Sequence, residues 1–270
     1  MHQVETQPLT IRPRDPATGD LVEAAADWAL FLDVDGTLLH IAETPGGVEV
    51  SDHLRAVLAR LAPLYDHALA LISGRQIVQL DRLFAPLALP AAGLHGLERR
   101  DPAGRIRRLG DPAWLDGLRQ ALGDFAAAHP GVLLEDKGRT LALHYRRAPR
   151  AEAAARRIVG ELTEGDQERL RVIEGKMVLE IKPRLADKGA AVAAFLDEPP
   201  FAGRRPVFIG DDVTDEDAFA TVNRLEGISV RVGDLPGTAA RYRLPDVNAV
   251  VAWLEALPAA LASSAAGARP

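Results

Sequence analysis

The residues with the clearest chemical potential lie in Phe31-Leu32-Asp33-Val34-Asp35-Gly36-Thr37-Leu38, an apolar run that ends in two carboxylates one residue apart. Alternation along a strand sends Asp33 and Asp35 to the same side, and Gly36 lets the chain turn sharply just beyond them. A lone Asp-Gly step is an ordinary turn. Two acids closing a strongly apolar strand are a different matter, because neighbouring carboxylates repel until a cation or proton joins them. A second segment, Val207-Phe208-Ile209-Gly210-Asp211-Asp212-Val213-Thr214-Asp215-Glu216-Asp217, has the same construction. Acids at a helix start suit the helix dipole and account for Asp215 and Glu216, but not for Asp211 and Asp212 directly against a strand. Two acidic strand ends point to a hard divalent cation with oxygen ligands. Mg²⁺ is the expectation, since it needs only a few carboxylates besides waters and phosphate. Ser73-Gly74-Arg75 follows another apolar run and offers a hydroxyl and main-chain N–H groups at a helix start, which suits an anion as well as a plain helix cap. Lys188 opens a later helix, where a cation opposes the dipole.

For these groups to meet, the strands that carry them must share one sheet, with ligands bound past their carboxyl ends. Short apolar runs alternate with segments of helical period, the signature of βα units and a parallel sheet. Residues 28–32, 68–72, 91–94, 206–209 and 228–232 read as strands. Helices read over 77–83, 188–196, 216–222 and 246–257, and from a cap at Ser51 with Leu54, Val57, Leu58 and Leu61 on one face. Between about Arg105 and Pro183 the rhythm changes to a strand, a helix over 112–129, strands at 132–135 and 140–146, a helix, and strands at 170–173 and 177–181. Leu141, Leu143 and Tyr145 alternate there with His144 and Arg146, which fits a half-exposed antiparallel sheet. The expected fold is α/β, a Rossmann-like parallel-sheet core with an inserted α+β cap. The expected boundaries are a tail over 1–22, core over 23–103, cap over 104–184, core over 185–258 and a tail over 259–270.

Composition narrows the function. With 270 residues, 47% hydrophobic and 26% charged, the chain is of ordinary globular make-up, neither disordered nor fibrous. Thirty-two basic against 38 acidic residues leave a net charge of −6, the wrong sign for a non-specific nucleic-acid binder. The absence of cysteine removes thiolate catalysis, Cys-ligated zinc, iron–sulfur clusters and disulfides, and fits a reducing compartment. No run of 18 apolar residues and no signal-peptide layout occurs, so a cytoplasmic protein without a membrane partner is expected, and the acidic surface without an obvious apolar stripe suggests a monomer. No P-loop, nucleophile-elbow serine or Rossmann glycine pattern is present.

The order Asp-x-Asp-Gly-Thr, Ser73, Lys188 and Gly210-Asp211-Asp212-Val213-Thr214-Asp215-Glu216 resembles the haloacid dehalogenase superfamily of phosphohydrolases. Within it, several further motifs resemble the trehalose-6-phosphate phosphatases: Ser73-Gly74-Arg75, Leu94-His95-Gly96-Leu97-Glu98, Glu135-Asp136-Lys137, Leu143-His144-Tyr145-Arg146, Glu180-Ile181-Lys182-Pro183 and Asp187-Lys188-Gly189. The resemblance implies a Mg²⁺-dependent phosphatase with Asp33 as nucleophile, forming an aspartyl-phosphate, and Asp35 as general acid and then base. It implies that Asp33, the Asp35 main-chain carbonyl and Asp211 hold the metal, with Asp215 and Asp212 bonding its waters. Ser73 and Lys188 grip the phosphoryl oxygens, and Thr37 helps to position them. Arg75, His95, Glu98, Glu135, Lys137 and Glu180 correspond to residues that bind the sugar phosphate. Other sugar phosphates, such as sucrose phosphate or mannosylphosphoglycerate, and a non-catalytic sugar-phosphate sensor are the alternatives. A dehalogenase is disfavoured, because Asp35 has no task there.

Overall fold

The computed structural model of the chain describes residues 9–10, 25–41, 48–234 and 236–267. The chain folds as two compact units, one built from the residues up to Ile106 and from Lys188 onward, the other from Arg107–Asp187. Along the first section run β1 (Leu9–Thr10), β2 (Trp28–Leu32), α1 (Asp52–Leu64), β3 (Leu69–Ile72), α2 (Ile77–Phe84), β4 (Ala91–Gly93), β5 (Glu98–Arg100) and β6 (Ile106–Arg108). The middle section holds α3 (Asp116–Ala128), β7 (Leu133–Asp136), β8 (Leu141–His144), α4 (Glu152–Thr163), β9 (Leu170–Gly175) and β10 (Val178–Pro183). The return is made by α5 (Lys188–Leu196), β11 (Arg205–Gly210), α6 (Glu216–Arg224), β12 (Ile228–Val232), β13 (Tyr242–Leu244) and α7 (Val247–Gly267). Among the described residues, no helix is long and apolar enough to cross a membrane.

The large sheet has the order β1-β13-β12-β11-β2-β3-β4-β5-β6. Strands β1 to β4 of that order are parallel, and β5 returns antiparallel to β4. Every residue of β2, β3 and β12 is buried, as befits parallel strands covered on both faces. On one face Leu30, Leu32, Leu69, Leu71 and Val207 pack with Leu54, Val57, Leu58 and Leu61 of α1 and Val250, Trp253 and Leu254 of α7. On the other, Phe31 and Phe208 pack with Val192 and Phe195 of α5 and Phe219 and Val222 of α6. Each such side chain contributes roughly 1.5–3 kcal/mol by leaving water, and so holds the strand ends in place. The Ser51 hydroxyl accepts the Leu54 N–H at 3.1 Å and starts α1.

Four parts of this unit differ from the sequence expectation, one being strand β13, which the sequence reading did not include. The 1–22 tail lies outside the described residues except for Leu9–Thr10, which pairs with Tyr242–Arg243 as an edge strand. Strand β5, which the sequence reading did not include, carries Glu98; its Glu-Arg-Arg sequence looks solvated, yet Glu98 and Arg100 are buried because the first accepts a main-chain N–H and the second donates to the Leu89 carbonyl. Helix α7 continues past Leu257 and through Pro258 to Gly267 rather than ending in a tail, since an alanine-rich stretch is a strong helix former.

The second unit is an antiparallel sheet in the order β7-β8-β10-β9. Its inner residues Leu141, Leu143, Leu179 and Ile181 pack with Leu118 and Leu122 of α3 and Val159 of α4. The opposite face is polar by the same alternation. There Glu135 and Glu180 both pair in register with Ala142, one from each side.

Candidate active site

Strands β2 and β11 are neighbours, with Leu30, Phe31 and Leu32 opposite Val207, Phe208 and Ile209, so their carboxyl ends finish side by side. The Asp33 N–H closes the ladder on the Ile209 carbonyl at 3.0 Å. Beyond that point Asp33, Asp211 and Asp215 each offer a carboxylate oxygen within 4.8 Å of the others. Lys188, at the first turn of α5, donates to Asp33 Oδ1 at 2.7 Å and to Asp215 Oδ1 at 2.6 Å. Asp33, Lys188 and Asp215 are all buried. Asp215 uses its second oxygen to accept the N–H groups of Asp211 and Asp212 at 2.9 and 2.8 Å, which folds the loop after β11 around its own carboxylate. The Thr37 hydroxyl donates to Asp211 Oδ1 at 3.2 Å.

Two glycines make this packing possible. A Cβ on Gly36 would stand 2.0 Å from Asp211 Oδ2, and Gly36 also has φ +87°, a conformation that side chains disfavour. A Cβ on Gly210 would stand 2.4 Å from the Asp215 carboxyl carbon.

The charges explain one another. Burial pushes the Asp33 carboxyl well above the ordinary range against the pull of Lys188, and the charges of Asp215 and Asp211 push the same way. Burial, then Asp215, raises Asp211 to about 6. Burial alone would favour neutral Lys188, but Asp215 and Asp33 outweigh it and hold the ammonium well above its usual value. Three carboxylates against one ammonium leave two negative charges when all are ionised. A divalent cation offsets that excess, and an all-oxygen donor set suits a hard one.

Asp35 and Arg75 form a separate pair beside this cluster. The guanidinium fork donates from Nε to Asp35 Oδ2 and from Nη2 to Oδ1, both at 2.6 Å. Ser73, buried at the end of β3, accepts the Arg75 N–H at 3.1 Å. His95 lies in a short turn after β4 with φ 55° and packs its ring on Gly74, where a Cβ would come within 2.8 Å of it. Glu98 is directed to the start of α2, where it accepts the Ile77 N–H at 3.1 Å.

In the second unit the polar face gathers the three expected residues and adds two more. Lys137 Nζ donates to Glu180 Oε2 at 3.0 Å, and the Thr140 hydroxyl donates to Glu180 Oε1 at 2.7 Å. Glu135 lies 2.9 Å from His144 Nε2, and that hydrogen bond, with Lys137 nearby, holds the Glu135 carboxyl below its ordinary range against the opposing effect of burial. Thr140 and His144 were not among the sequence-derived site residues. The alternation along β8 and a family motif already mark His144 in the sequence, but which carboxylates it and Thr140 meet follows only from the sheet register.

The trehalose-phosphatase family model matches residues 31–248, a span that contains every residue of both groups. A probable trehalose-phosphate phosphatase of Sinorhizobium fredii (strain NBRC 101917 / NGR234) is 47% identical, over 86% of this chain and 88% of its own. The trehalose-6-phosphate phosphatase of Escherichia coli K12 is 45% identical, over 95% and 92%. The C-terminal domain of the C. albicans trehalose-6-phosphate phosphatase superposes with a TM-score of 0.80 over 94% of this chain and 99% of that one; at 22% identity this speaks for the fold. The chain is an α/β phosphatase and belongs to the trehalose-phosphatase family.

Proposed function

We propose that the protein hydrolyses trehalose 6-phosphate to trehalose and phosphate with Mg²⁺ and an aspartyl-phosphate on Asp33. The observation that carries this reading is the constellation of buried Asp33, Lys188 and Asp215 with half-buried Asp211 at the paired ends of β2 and β11. In the first step Asp33 attacks phosphorus, the bond to the sugar oxygen breaks, and Asp35 protonates the leaving oxygen. In the second, Asp35 takes a proton from the water that attacks the phosphorus, and Asp33 departs as carboxylate. Lys188 neutralises charge beside the nucleophile, while Ser73 and Thr37 hold phosphoryl oxygens in line, the positioning that dominates phosphoryl transfer. Arg75 keeps Asp35 aligned, and its bidentate hold must slacken when Asp35 carries a proton.

The cation is assigned to the Asp33 carboxylate, the Asp35 main-chain carbonyl and Asp211, with Asp215 and Asp212 bonding its waters. When bound it offsets the repulsion between the Asp33 carboxylate and the phosphate dianion. Glu135, Lys137 and Glu180 are assigned to the sugar hydroxyls, because buried charged groups reject a ligand that leaves them unpaired. His95 and Glu98 are assigned to binding the sugar phosphate.

The test is phosphate release from trehalose 6-phosphate, glucose 6-phosphate and sucrose 6-phosphate with Mg²⁺ and with EDTA. Metal-dependent release from trehalose 6-phosphate alone is expected. Release from a different sugar phosphate sinks the assignment of Glu135, Lys137 and Glu180 while leaving the phosphoryl chemistry standing, and release from none sinks the reading as a whole.

A further inference from the structure

The acid loop after β11 is held from behind as well as from within. Arg231, on β12, stands directly opposite Gly210 in the β11–β12 register. Its side chain is only 7% exposed, and its Nη1 donates to the main-chain oxygen of Asp212 at 3.2 Å and to Glu216 Oε1 at 3.3 Å. Glu216 in turn accepts the Ala239 N–H at 2.7 Å, and the Ala239 carbonyl accepts Asn223 Nδ2 at 2.7 Å. The N–H of Asp212 already belongs to Asp215. Asp212 is therefore gripped on both sides, its N–H by Asp215 and its carbonyl by Arg231.

Keeping a guanidinium in the interior is costly, and here the cost is not fully recovered: the buried Nε has no hydrogen-bond partner among the described residues. What the residue does deliver is a charged donor at the back of the loop, a place that an apolar side chain of similar volume could fill but could not hold in register.

We propose that Arg231 is a positioning residue for the cation site: by holding the Asp212 carbonyl it fixes the peptide frame from which Asp211 and Asp215 present their carboxylates. The inference rests on the reading of Asp33, Asp211 and Asp215 as a cation site. Arg231 touches neither substrate nor reacting atoms, and its effect is on how tightly the cation is held. Groups that orient ligands in this way typically set metal affinity within roughly tenfold to a hundredfold.

The experiment is calorimetric titration of the EDTA-treated full chain with Mn²⁺ and Mg²⁺, alongside steady-state kinetics over a metal series. R231Q is expected to raise the metal dissociation constant by about tenfold or more. Saturating metal should then restore most of kcat with KM for the sugar phosphate unchanged. R231K keeps the charge but not the fork, and an intermediate increase is expected. S51A, which removes the cap of α1 and destabilises the same unit, is expected to bind metal like the parent, separating positioning from general loss of stability. Should R231Q fail to fold, R231K is judged alone. Parent-like metal affinity in whichever of the two variants folds overturns the proposal, as does a fall in kcat that saturating metal leaves in place while affinity is unchanged. A parent protein that takes up neither metal overturns the cation reading of the site and this inference with it.

Discussion

Lys188 is the residue whose removal tells most about the site. Its ammonium lies between Asp33 and Asp215, all three buried. Lys188→Met leaves two interior carboxylates uncompensated. It is expected to cost about 3–5 kcal/mol in urea unfolding without metal, and to abolish turnover. A stable, inactive K188M protein in metal-free buffer would show that the ion triad is not what holds the strand ends together. Gly36→Ala is the smallest change with a large expected effect. The added methyl collides with the Asp211 carboxylate, and a displacement near 1 Å at such a centre costs on the order of a hundredfold in rate. Steady-state kinetics at saturating metal checks it; near-parental kcat would mean that Asp211 has room to move. The individual carboxylates of this site were legible in the sequence because they interrupt apolar runs. The Asp35–Arg75 pair was not: the two lie far apart along the chain, and only the adjacency of β2 and β3 brings them together.

At the level of elements, legibility followed burial. Strands β2, β3 and β11 read plainly because parallel strands covered on both faces need nearly uninterrupted apolar sequence, and β12 read through Ile228, Val230 and Val232 despite the Ser229 and Arg231 between them. Strands β5 and β13 did not, since each is short and carries arginines that find partners only in the folded chain. The alternation in β8 identified a sheet with one polar face but not which residues share a row. That row makes Glu180 its most connected member, with Lys137 and Thr140 both on its carboxylate. Glu180→Gln replaces a charged acceptor by a neutral one and is expected to raise KM for trehalose 6-phosphate by at least about tenfold, with a smaller effect on kcat. Unchanged KM in a substrate titration would remove Glu180 from the sugar site.

For the whole molecule, a cation held only by the folded chain must stabilise it by mass action. Mg²⁺ at about a hundred times its dissociation constant adds roughly 2.7 kcal/mol. A rise of several degrees in the thermal midpoint is expected, reversed by EDTA and missing in Asp211→Asn; a midpoint indifferent to Mg²⁺ would argue against a folded-state cation site. The pairing of β2 with β11 also has a bearing on synthesis. A ribosome delivers the nucleophile's strand early and its neighbour only after the whole of Arg107–Asp187 has been made. Until then β2 has β3 on one side and nothing on the other, a bare edge of Trp-Ala-Leu-Phe-Leu of the kind that recruits other chains. Fragments that stop before β11 are therefore expected to be inactive and prone to aggregate, which light scattering of such truncated chains would check.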